Sequence, residues 1–353
     1  MKFQEQTNDA VSLLEQLIAI SSFSKEENTV ADFLERYIEI KGYVASRKDN
    51  NVWILSPGFD TSRPTILLNS HIDTVRPVAG WNRNPLIPSI ENGRLYGLGS
   101  NDAGASVVCL LQTFFYLTQQ QQAYNLIFAA SAEEEISGKN GLESLLSELP
   151  KIDFAIVGEP TQMNLAVAEK GLMVLDCTAH GQAGHAARNE GVNAIYRALA
   201  DIEWFKTFEF VKKTDLLGPV KMSVTQINAG TQHNVVPDKC SFVIDVRTNE
   251  YYPNQEALRI IDKLLDSEVN ARSLRLNSSA IAIDHPLVQR GIKMGISYYG
   301  SPTTSDQAVI PYPSVKIGPG DSARSHTADE YILISEMEEG FRIYIELLTD
   351  LRW

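Results

Sequence analysis

Four short polar clusters each follow soon after an apolar run of the sequence, and each contains acids or histidines. They are His71-Ile72-Asp73 after TILLNS, Ser131-Ala132-Glu133-Glu134-Glu135 after NLIFAA, Gly158-Glu159-Pro160 after FAIV, and Ser325-His326-Thr327 beyond SVKI. Open α/β sheets place their ligands at the carboxyl ends of strands, so we expect these clusters to converge on one sheet edge. A fifth acid, Asp102, lies in the glycine-rich stretch 97–104, which opens a helix.

Any one of these clusters alone is weak evidence for a site. An isolated His-X-Asp or acidic triplet is more often a structural or solvated turn, and an acid at a helix start is more often an N-cap. Together, however, carboxylates at one sheet edge would repel each other unless a cation held them. Two histidines and several carboxylates without a thiolate suit Zn²⁺, with Co²⁺ or Mn²⁺ as alternatives. Two such ions, about 3.5–4 Å apart and sharing a bridging carboxylate, would support hydrolysis of a carbonyl compound.

The spacing inside two of the clusters suggests a division of roles. His71 and Asp73 are two residues apart on an extended chain, so the Asp73 carboxylate is predicted to hydrogen-bond the imidazole and orient it. Adjacent acids in the triplet Glu133–Glu135 point in different directions, so one can bind a metal while another accepts a proton from water. The triplet leaves open whether the base and ligand pair is Glu133 with Glu134 or Glu134 with Glu135.

The elements that must position these residues alternate between strands and helices. Helical periodicity covers 5–20 and 26–41, the second entered through Ser24 as an N-cap. Buried strands are predicted at Thr65–Asn69, Asn125–Ala129, Phe154–Val157 and Val315–Ile317, with helical patterns at 103–118, 141–149 and 334–349. Such alternation predicts an α/β fold with a doubly wound, mainly parallel sheet.

The middle of the chain has a different order of elements. Between 169 and 283 the pattern predicts strand 172–179, helix 192–205, strand 221–227, strand 239–246, helix 254–265 and strand 273–277. This βαββαβ order is typical of a ferredoxin-like unit. We therefore expect a catalytic domain formed by 1–168 and 284–353, with 169–283 inserted as a lid or dimerisation domain.

Composition excludes several classes of protein. The 353 residues carry a formal net charge of −13, with 44% hydrophobic and 21% charged residues, which excludes dominant disorder. The acidic balance argues against a nucleic-acid or anionic-membrane partner, and no run approaches the ~20 apolar residues of a membrane span. The N-terminus lacks the apolar centre of a signal peptide. Three cysteines without CxxC spacing suggest buried thiols in a reducing compartment, so we expect a cytoplasmic protein.

With these motifs in place, the chain resembles the co-catalytic dizinc deacylases and exopeptidases that include acetylornithine deacetylase, succinyl-diaminopimelate desuccinylase, aminoacylase and bacterial carboxypeptidases. The resemblance runs from His71 to His326, although the residues flanking Asp102 depart from the family's usual Arg-Gly and Met-Lys-Gly. It implies two zinc ions, with Asp102 bridging both. It further implies first-zinc ligands His71 and Glu159, second-zinc ligands Glu135 and His326, Asp73 as orienter, and Glu134 as general base.

The resemblance also assigns roles in the inserted segment. Gly181-Gln182-Ala183-Gly184-His185 resembles the family's lid segment, which implies that His185 reaches across a dimer interface to polarise the scissile carbonyl. The segments around Asn234 and Arg247 resemble those that bind the substrate's α-carboxylate. Arg188 is a candidate for holding a negatively charged acyl tail, and Arg324 is a second candidate. The loop 300–306 resembles a small-residue loop beside the substrate.

The resulting expectation is hydrolysis of an N-acyl-L-amino acid, most similar to acetylornithine deacetylase. An N-acetyl or N-succinyl derivative of ornithine, lysine or citrulline would place the enzyme in arginine or lysine biosynthesis. A homodimer formed through the inserted domain is also expected. Three alternatives remain: a zinc dipeptidase or carboxypeptidase of the same fold, an inactive metal-binding homologue, and a ferredoxin-like interaction module on an unrelated α/β domain.

Overall fold

The computed structural model describes residues 2–353. The helices are α1 (Lys2–Ile18), α2 (Asn28–Ile40), α3 (Ala105–Thr118), α4 (Leu142–Leu145), α5 (Ala194–Thr207), α6 (Asn254–Leu264), α7 (Pro286–Lys293) and α8 (Ile334–Leu348). The strands are β1 (Ser46–Lys48), β2 (Asn51–Leu55), β3 (Thr65–His71), β4 (Ser89–Glu91), β5 (Arg94–Tyr96), β6 (Asn125–Ser131), β7 (Phe154–Val157), β8 (Leu165–Glu169), β9 (Gly171–His180), β10 (Gly184–His185), β11 (Lys221–Ala229), β12 (Val235–Val236), β13 (Lys239–Thr248), β14 (Glu268–Ala271), β15 (Ser279–Ala280), β16 (Tyr298–Ser301), β17 (Ser314–Lys316) and β18 (Tyr331–Leu333).

The chain divides into two compact units. Unit 1 consists of the chain up to Val167, Ala280–Tyr299 and Ser305–Trp353, and unit 2 consists of Ala168–Ser279 and Gly300–Thr304. Unit 1 is therefore discontinuous in sequence, and most of unit 2 is one continuous segment between its parts.

The main sheet has the strand order β1-β2-β6-β3-β7-β17-β8-β15, with β16 also paired to β8. Pairing is parallel among the four central strands β6, β3, β7 and β17, whereas β2 and β8 join them antiparallel. Every residue of β3 and β6 is buried, as expected for central parallel strands that are covered on both faces. The α/β fold is thus confirmed with a mixed sheet, whose four central strands pair in parallel.

The core of unit 1 lies on both sides of this sheet. Helix α3 is apolar almost all round and contacts β3, β6, α1 and α8, because a helix without a polar face must be covered by other elements. Beside the sheet, a second cluster joins strand residues to the short helix α4, and it includes Leu67, Ile127, Ala155, Leu142 and Leu145. These layers fix the strand ends that carry the site residues.

Unit 2 contains an antiparallel sheet in the order β11-β13-β9-β14, with helices α5 and α6 between its strands in the chain. Alternate residues of β9 are buried, and Met173, Leu175 and Cys177 join the core cluster that also includes Ala198 of α5 and Ile261 of α6. This period-two burial is typical of a sheet with one face packed on helices.

Three expectations about elements were wrong. The last strand of unit 2 is Glu268–Ala271 rather than 273–277, because Leu274 and Leu276 pack inward from irregular chain and mimic strand alternation. The helix expected over 141–149 is only Leu142–Leu145. Ser24 does not cap α2, which begins at Asn28 after Glu27. In residues 2–353, none of the helices has both the length and the apolar character that crossing a membrane requires.

Candidate metal centre

The polar clusters meet at the carboxyl ends of the central strands. His71 is the last residue of β3 and is paired in register with Ser131, the last residue of β6. Glu134 and Glu135 lie three and four residues beyond β6, and Glu159 lies two residues beyond β7, which pairs with β3 on its other side. Parallel pairing of three neighbouring strands therefore gathers these side chains at one sheet edge.

The His71 imidazole is buried and lies between two kinds of acceptor. Its Nδ1 is 3.0 Å from the main-chain oxygen of Asp73 and 3.4 Å from the Asp73 Oδ1. Its Nε2 faces carboxylate oxygens of Asp102 at 3.3 Å, Glu159 at 3.8 Å and Glu134 at 3.9 Å. A proton on Nδ1 leaves the Nε2 lone pair directed at these carboxylates, which is the arrangement of a metal-ligating histidine.

Asp73 contacts His71 and also holds the segment that carries the next two acids. Its Oδ1 accepts a hydrogen bond from the Glu134 N–H at 3.0 Å, and its Oδ2 accepts one from the Glu135 N–H at 3.1 Å. The Ser24 hydroxyl donates to the same Oδ2 at 2.7 Å. Burial opposes ionisation of Asp73, but these donors and His71 lower its pKa below the ordinary value.

The first acid of the triplet points away from the others. The Glu133 carboxylate accepts hydrogen bonds from the Asn140 main chain at 3.4 Å and from its side-chain amide at 3.0 Å. The Glu133 N–H in turn donates to Glu27 Oε1 at 3.2 Å. Of the two pairs that the sequence left open, Glu134 and Glu135 are therefore the acids gathered with His71 and His326.

Asp102 lies between the two histidines. Its Oδ1 is 3.3 Å from His71 Nε2, and its Oδ2 is 3.6 Å from His326 Nε2. The same His326 nitrogen lies 2.9 Å from Glu135 Oε2. One carboxylate thus faces both imidazoles from its two oxygens, which is the position that a bridging ligand requires.

The loop carrying Asp102 is held by a residue for which the sequence gives no local signal. The segment Ser100–Gly104 is irregular, and Asp102 and Ala103 have non-helical backbone angles. The buried Glu330 accepts hydrogen bonds from the N–H groups of Gly99, Asn101 and Asp102 at 2.9–3.0 Å. Burial raises the pKa of Glu330 to about 8, although these N–H donors oppose the shift.

The electrostatics of the cluster are unbalanced. Burial raises the pKa of Glu134 well above its ordinary value and that of Glu159 to about 8, with His71 opposing and neighbouring carboxylates adding to the shift. Burial also raises the pKa of Glu135. For His71, burial favours the neutral ring, yet Asp102, Asp73 and the two glutamates raise its pKa well above the ordinary value. When all of these acids are ionised, the cluster therefore carries more negative charge than its imidazoles neutralise.

These residues fit a divalent cation. Two overlapping sets offer ligand atoms that all lie within 4.8 Å of one another, namely His71 with Glu134 and Glu159, and His71 with Asp102 and Glu135. Imidazole nitrogens and carboxylate oxygens are ligands of Zn²⁺ and its neighbours, and a cation would relieve the repulsion among the carboxylates. Because Glu134 and Glu159 are both within 4 Å of His71 Nε2, distance alone does not separate the ligand from the base.

Two residues assigned by resemblance lie together in unit 2. His185 in β10 pairs with Val235 in β12, next to Asn234, whose carbonyl accepts the Ala186 N–H at 3.0 Å. His185 Nδ1 accepts the Ala187 N–H at 3.1 Å, so a neutral ring carries its proton on Nε2. A Cβ at Gly184 would lie 2.7 Å from the Glu190 main chain, so glycine is required there for the ribbon to approach that loop.

The three candidate arginines have different surroundings. Arg247 in unit 2 makes a two-pronged ion pair with Asp245 at 2.8 and 3.0 Å, and its Nη1 lies 3.4 Å from Thr304 Oγ1. Arg188 is 67% exposed and lies 3.6 Å from Glu190. Arg324 was a wrong candidate for an acyl tail, because both its terminal nitrogens donate to Glu336 and its guanidinium stacks on Tyr331.

Comparison with known proteins shows relatives in sequence and in fold. A curated relative, the succinyl-diaminopimelate desuccinylase of Wolbachia pipientis wMel, is 25% identical over 288 residues, which cover 77% of this chain and 72% of that protein. The fold matches aminopeptidase PepT from Bacillus cereus, with a TM-score of 0.77, 18% identity and coverage of 97% of this chain and 98% of that one. It also matches a dinuclear metal-binding peptidase from Bacillus subtilis, with a TM-score of 0.73, 15% identity and coverage of 98% of each chain.

A family model agrees over most of the sequence. The model of peptidase family M20/M25/M40 matches residues 67–350, a range that contains every residue of the cluster around His71 and the whole of unit 2. The chain therefore belongs to peptidase family M20/M25/M40.

Proposed function

We propose that this protein hydrolyses the amide bond of N-acyl-L-amino acids at a centre of two divalent metal ions, with Zn²⁺ as the expected metal and Co²⁺ or Mn²⁺ as possible substitutes. One observation carries the proposal. Glu134 and Glu159 face the same buried imidazole nitrogen, while Asp102 faces both His71 and His326. The proposed ligands are His71, Asp102, Glu135, Glu159 and His326, and Glu134 is the proposed base.

In the mechanism, bound metal ions would supply positive charge that polarises the acyl carbonyl and makes water more acidic. Glu134 accepts the proton of the attacking water and returns it to the amine nitrogen as the C–N bond breaks. Asp73 keeps Glu134 in place through the main-chain N–H of that residue. His185 of the partner subunit is proposed to donate from Nε2 to the carbonyl oxygen as negative charge develops there.

For the substrate, we propose an N-acetylated or N-succinylated ornithine, lysine or citrulline, consistent with a role in arginine or lysine biosynthesis. The Asn234 amide and the outer edge of the Arg247 guanidinium, which Asp245 does not occupy, are proposed to bind the α-carboxylate. The relative named as a succinyl-diaminopimelate desuccinylase supports acyl-amino-acid chemistry. The Asp245 pair fixes the Arg247 guanidinium in one orientation.

The test is turnover of N-acyl amino acids and dipeptides by the metal-loaded protein, compared with Glu134→Gln. A base that transfers a proton contributes about 10²–10⁴-fold, so we expect that loss in kcat with both metal ions retained. The exposed Glu148, paired with Lys48, provides the control Glu148→Gln, which should leave turnover unchanged. Loss of a metal ion in Glu134→Gln would instead identify Glu134 as a ligand. Cleavage of dipeptides alone would favour the dipeptidase alternative.

Arg188 provides a test of the acyl group. Arg188 lies three residues after His185, and its side chain is exposed. We propose that this cationic side chain contacts the carboxylate of a succinyl group. Arg188→Ala should then raise KM for succinyl-ornithine and leave acetyl-ornithine unaffected. The assignment is contradicted if Arg188→Ala and the wild-type protein turn over succinyl-ornithine equally, as they do acetyl-ornithine.

We further propose a homodimer formed through unit 2. Strand β11 is an edge strand of its sheet, and Thr225–Ala229 are all exposed, including Ile227. On the neighbouring helix α5, Tyr196 and Leu199 are also exposed. An uncovered edge with apolar side chains is suited to pairing with a second copy. Ile227→Glu should give a monomer by light scattering, whereas Val44→Glu, at an exposed apolar position of unit 1, should not change the mass. If His185 acts on the partner's site, that monomer binds metal but loses activity.

A further inference from the structure

The buried carboxylate of Glu330 has all its described hydrogen bonds with a single loop. Glu330 is only 2% exposed. Oε1 accepts the N–H groups of Asn101 and Asp102, each at 2.9 Å, and Oε2 accepts the Gly99 N–H at 3.0 Å. In the described part of the chain, no lysine or arginine forms an ion pair with it. Both carboxyl oxygens of Glu330 are therefore directed at main-chain donors around Asp102.

These donors need an acceptor from outside the loop. In a regular helix the first N–H groups also lack intrahelical partners, and here the non-helical angles of Asp102 and Ala103 interrupt the helical pattern. Glu330 provides this acceptor from a segment that is 228–231 residues away in the chain. Three N–H groups of the loop that presents the Asp102 carboxylate thus have this one side chain as their acceptor.

The same segment carries the second histidine of the centre. Glu330 lies four residues after His326 and directly before β18, which pairs antiparallel with β5 at Tyr331 and Tyr96. Its main-chain oxygen also accepts the Gly97 N–H at 3.0 Å. Glu330 consequently ties the loop of Asp102 to the segment of His326, whose Nε2 lies 3.6 Å from Asp102 Oδ2.

We propose that Glu330 is a positioning residue that sets the Asp102 carboxylate relative to His326, and thereby sets the affinity of this centre for divalent metal. The inference rests on the proposed metal centre. It assigns to Glu330 a role beyond stability, since its three donors belong to the four residues 99–102 that carry the bridging carboxylate.

The test measures Zn²⁺ and Co²⁺ affinity by calorimetric titration of the metal-free protein, with the Co²⁺ absorption spectrum as a readout of ligand geometry. In Glu330→Gln, the amide NH₂ must face at least one of the three N–H donors. Loss of such support behind a ligand typically weakens metal binding about 10- to 100-fold, so we expect a loss of that size together with an altered Co²⁺ spectrum.

Asp201 provides a matched control in unit 2. It is a buried carboxylate that accepts the N–H groups of Asp266 at 3.3 Å and Ser267 at 2.9 Å, as well as the Ser267 hydroxyl. Asp201→Asn should lower the urea midpoint of unfolding and leave metal affinity and the Co²⁺ spectrum unchanged.

The outcomes separate the two proposals. Wild-type protein that binds no metal overturns the proposed function and this inference together. Wild-type binding with equal affinity and an equal spectrum in Glu330→Gln overturns the inference alone, even if that variant is less stable. Should Glu330→Gln not fold, Glu330→Asp keeps the carboxylate one methylene shorter and is expected to bind metal with an affinity below that of wild type. Wild-type affinity in that variant overturns the inference.

Discussion

Replacing Asp73 by asparagine tests the geometry of the centre without touching a proposed metal ligand. The carboxylate of Asp73 accepts the Glu134 N–H on Oδ1, and the Glu135 N–H and the Ser24 hydroxyl on Oδ2. An asparagine side chain has one acceptor oxygen and one NH₂ group. In either orientation, that NH₂ faces a main-chain N–H which the carboxylate bound.

The expected loss follows from counting these bonds. The less costly orientation keeps the oxygen towards Glu135 and Ser24, so the Glu134 N–H loses its partner. A hydrogen bond to a charged group contributes about 1.5–3 kcal/mol, and the buried N–H is left unsatisfied. We therefore expect Asp73→Asn to lower the free energy of unfolding by about 1.5–3 kcal/mol. Metal affinity should fall about 10- to 100-fold, because the orienting partners of His71 and the glutamate segment are disturbed together.

The assay combines three measurements on metal-free and metal-loaded protein. Urea unfolding in a chelator gives the change in stability, calorimetric titration gives the metal affinity, and turnover of the best N-acyl amino acid gives kcat. A displaced Glu134 should reduce kcat at saturating metal, since proton transfer requires hydrogen-bond reach.

Asp153 supplies the matched control at the opposite end of the same strand. Its Oδ2 accepts the N–H of Thr65, the first residue of β3, at 2.8 Å. Asp153→Asn should lower stability but leave metal affinity and kcat unchanged. The reasoning is refuted if Asp73→Asn matches wild type in metal affinity and kcat, or if Asp153→Asn impairs both equally.

Two further predictions concern groups outside the site. Burial raises the pKa of the Cys109 and Cys177 thiols to about 12, and Cys240 is buried as well. At pH 8, mass spectrometry should therefore detect no iodoacetamide on the native protein and three groups on the unfolded protein. Rapid labelling of the native chain would contradict the buried placement. Burial lowers the pKa of His285, whose Nδ1 accepts the Leu287 N–H at the start of α7. The unfolded chain then binds more protons just below pH 6.5, so stability falls as pH drops through that value towards the folded pKa, by at most about 1.4 kcal/mol per pH unit. His285→Asn keeps an acceptor for the cap and removes the titration, so urea unfolding from pH 7.5 to 5 should show a smaller decline than wild type, and parallel declines would contradict the assignment.

The gathering of the acids was predictable because it follows from local patterns. Each of His71, Glu134 and Glu159 lies within a few residues of a buried strand, and the carboxyl ends of neighbouring parallel strands meet at one edge. The apolar runs located these strands to within two residues. The sequence could therefore indicate which acids meet before their neighbours were known.

The residues behind the acids were not predictable in this way. Ser24 reaches Asp73 across 49 positions, Glu27 reaches the Glu133 N–H across 106, and Glu330 reaches Asn101 across 229. Ser24 has the typical appearance of a helix cap, and nothing in the sequence near Glu330 indicates a partner at Gly99–Asp102. Such contacts depend on how loops pack, which periodicity and spacing do not encode. The misassigned Arg324 has the same origin, since its partner Glu336 is the acid that caps α8.

The buried acids around the centre differ in what donates to them, and this difference separates their roles. Asp73, Glu27 and Glu330 all accept main-chain N–H groups, whereas the described residues provide no main-chain N–H to the carboxylates of Glu134 and Glu159. A carboxylate surrounded by N–H donors uses its lone pairs to fix the chain, and removing it misplaces a loop. A buried carboxylate without such donors keeps its lone pairs for a cation or a proton, and removing it abolishes binding or chemistry. Substitutions in the first set should therefore be partly compensated by higher metal concentration, because they weaken a geometry, whereas Glu134→Gln should not be rescued at any concentration of metal.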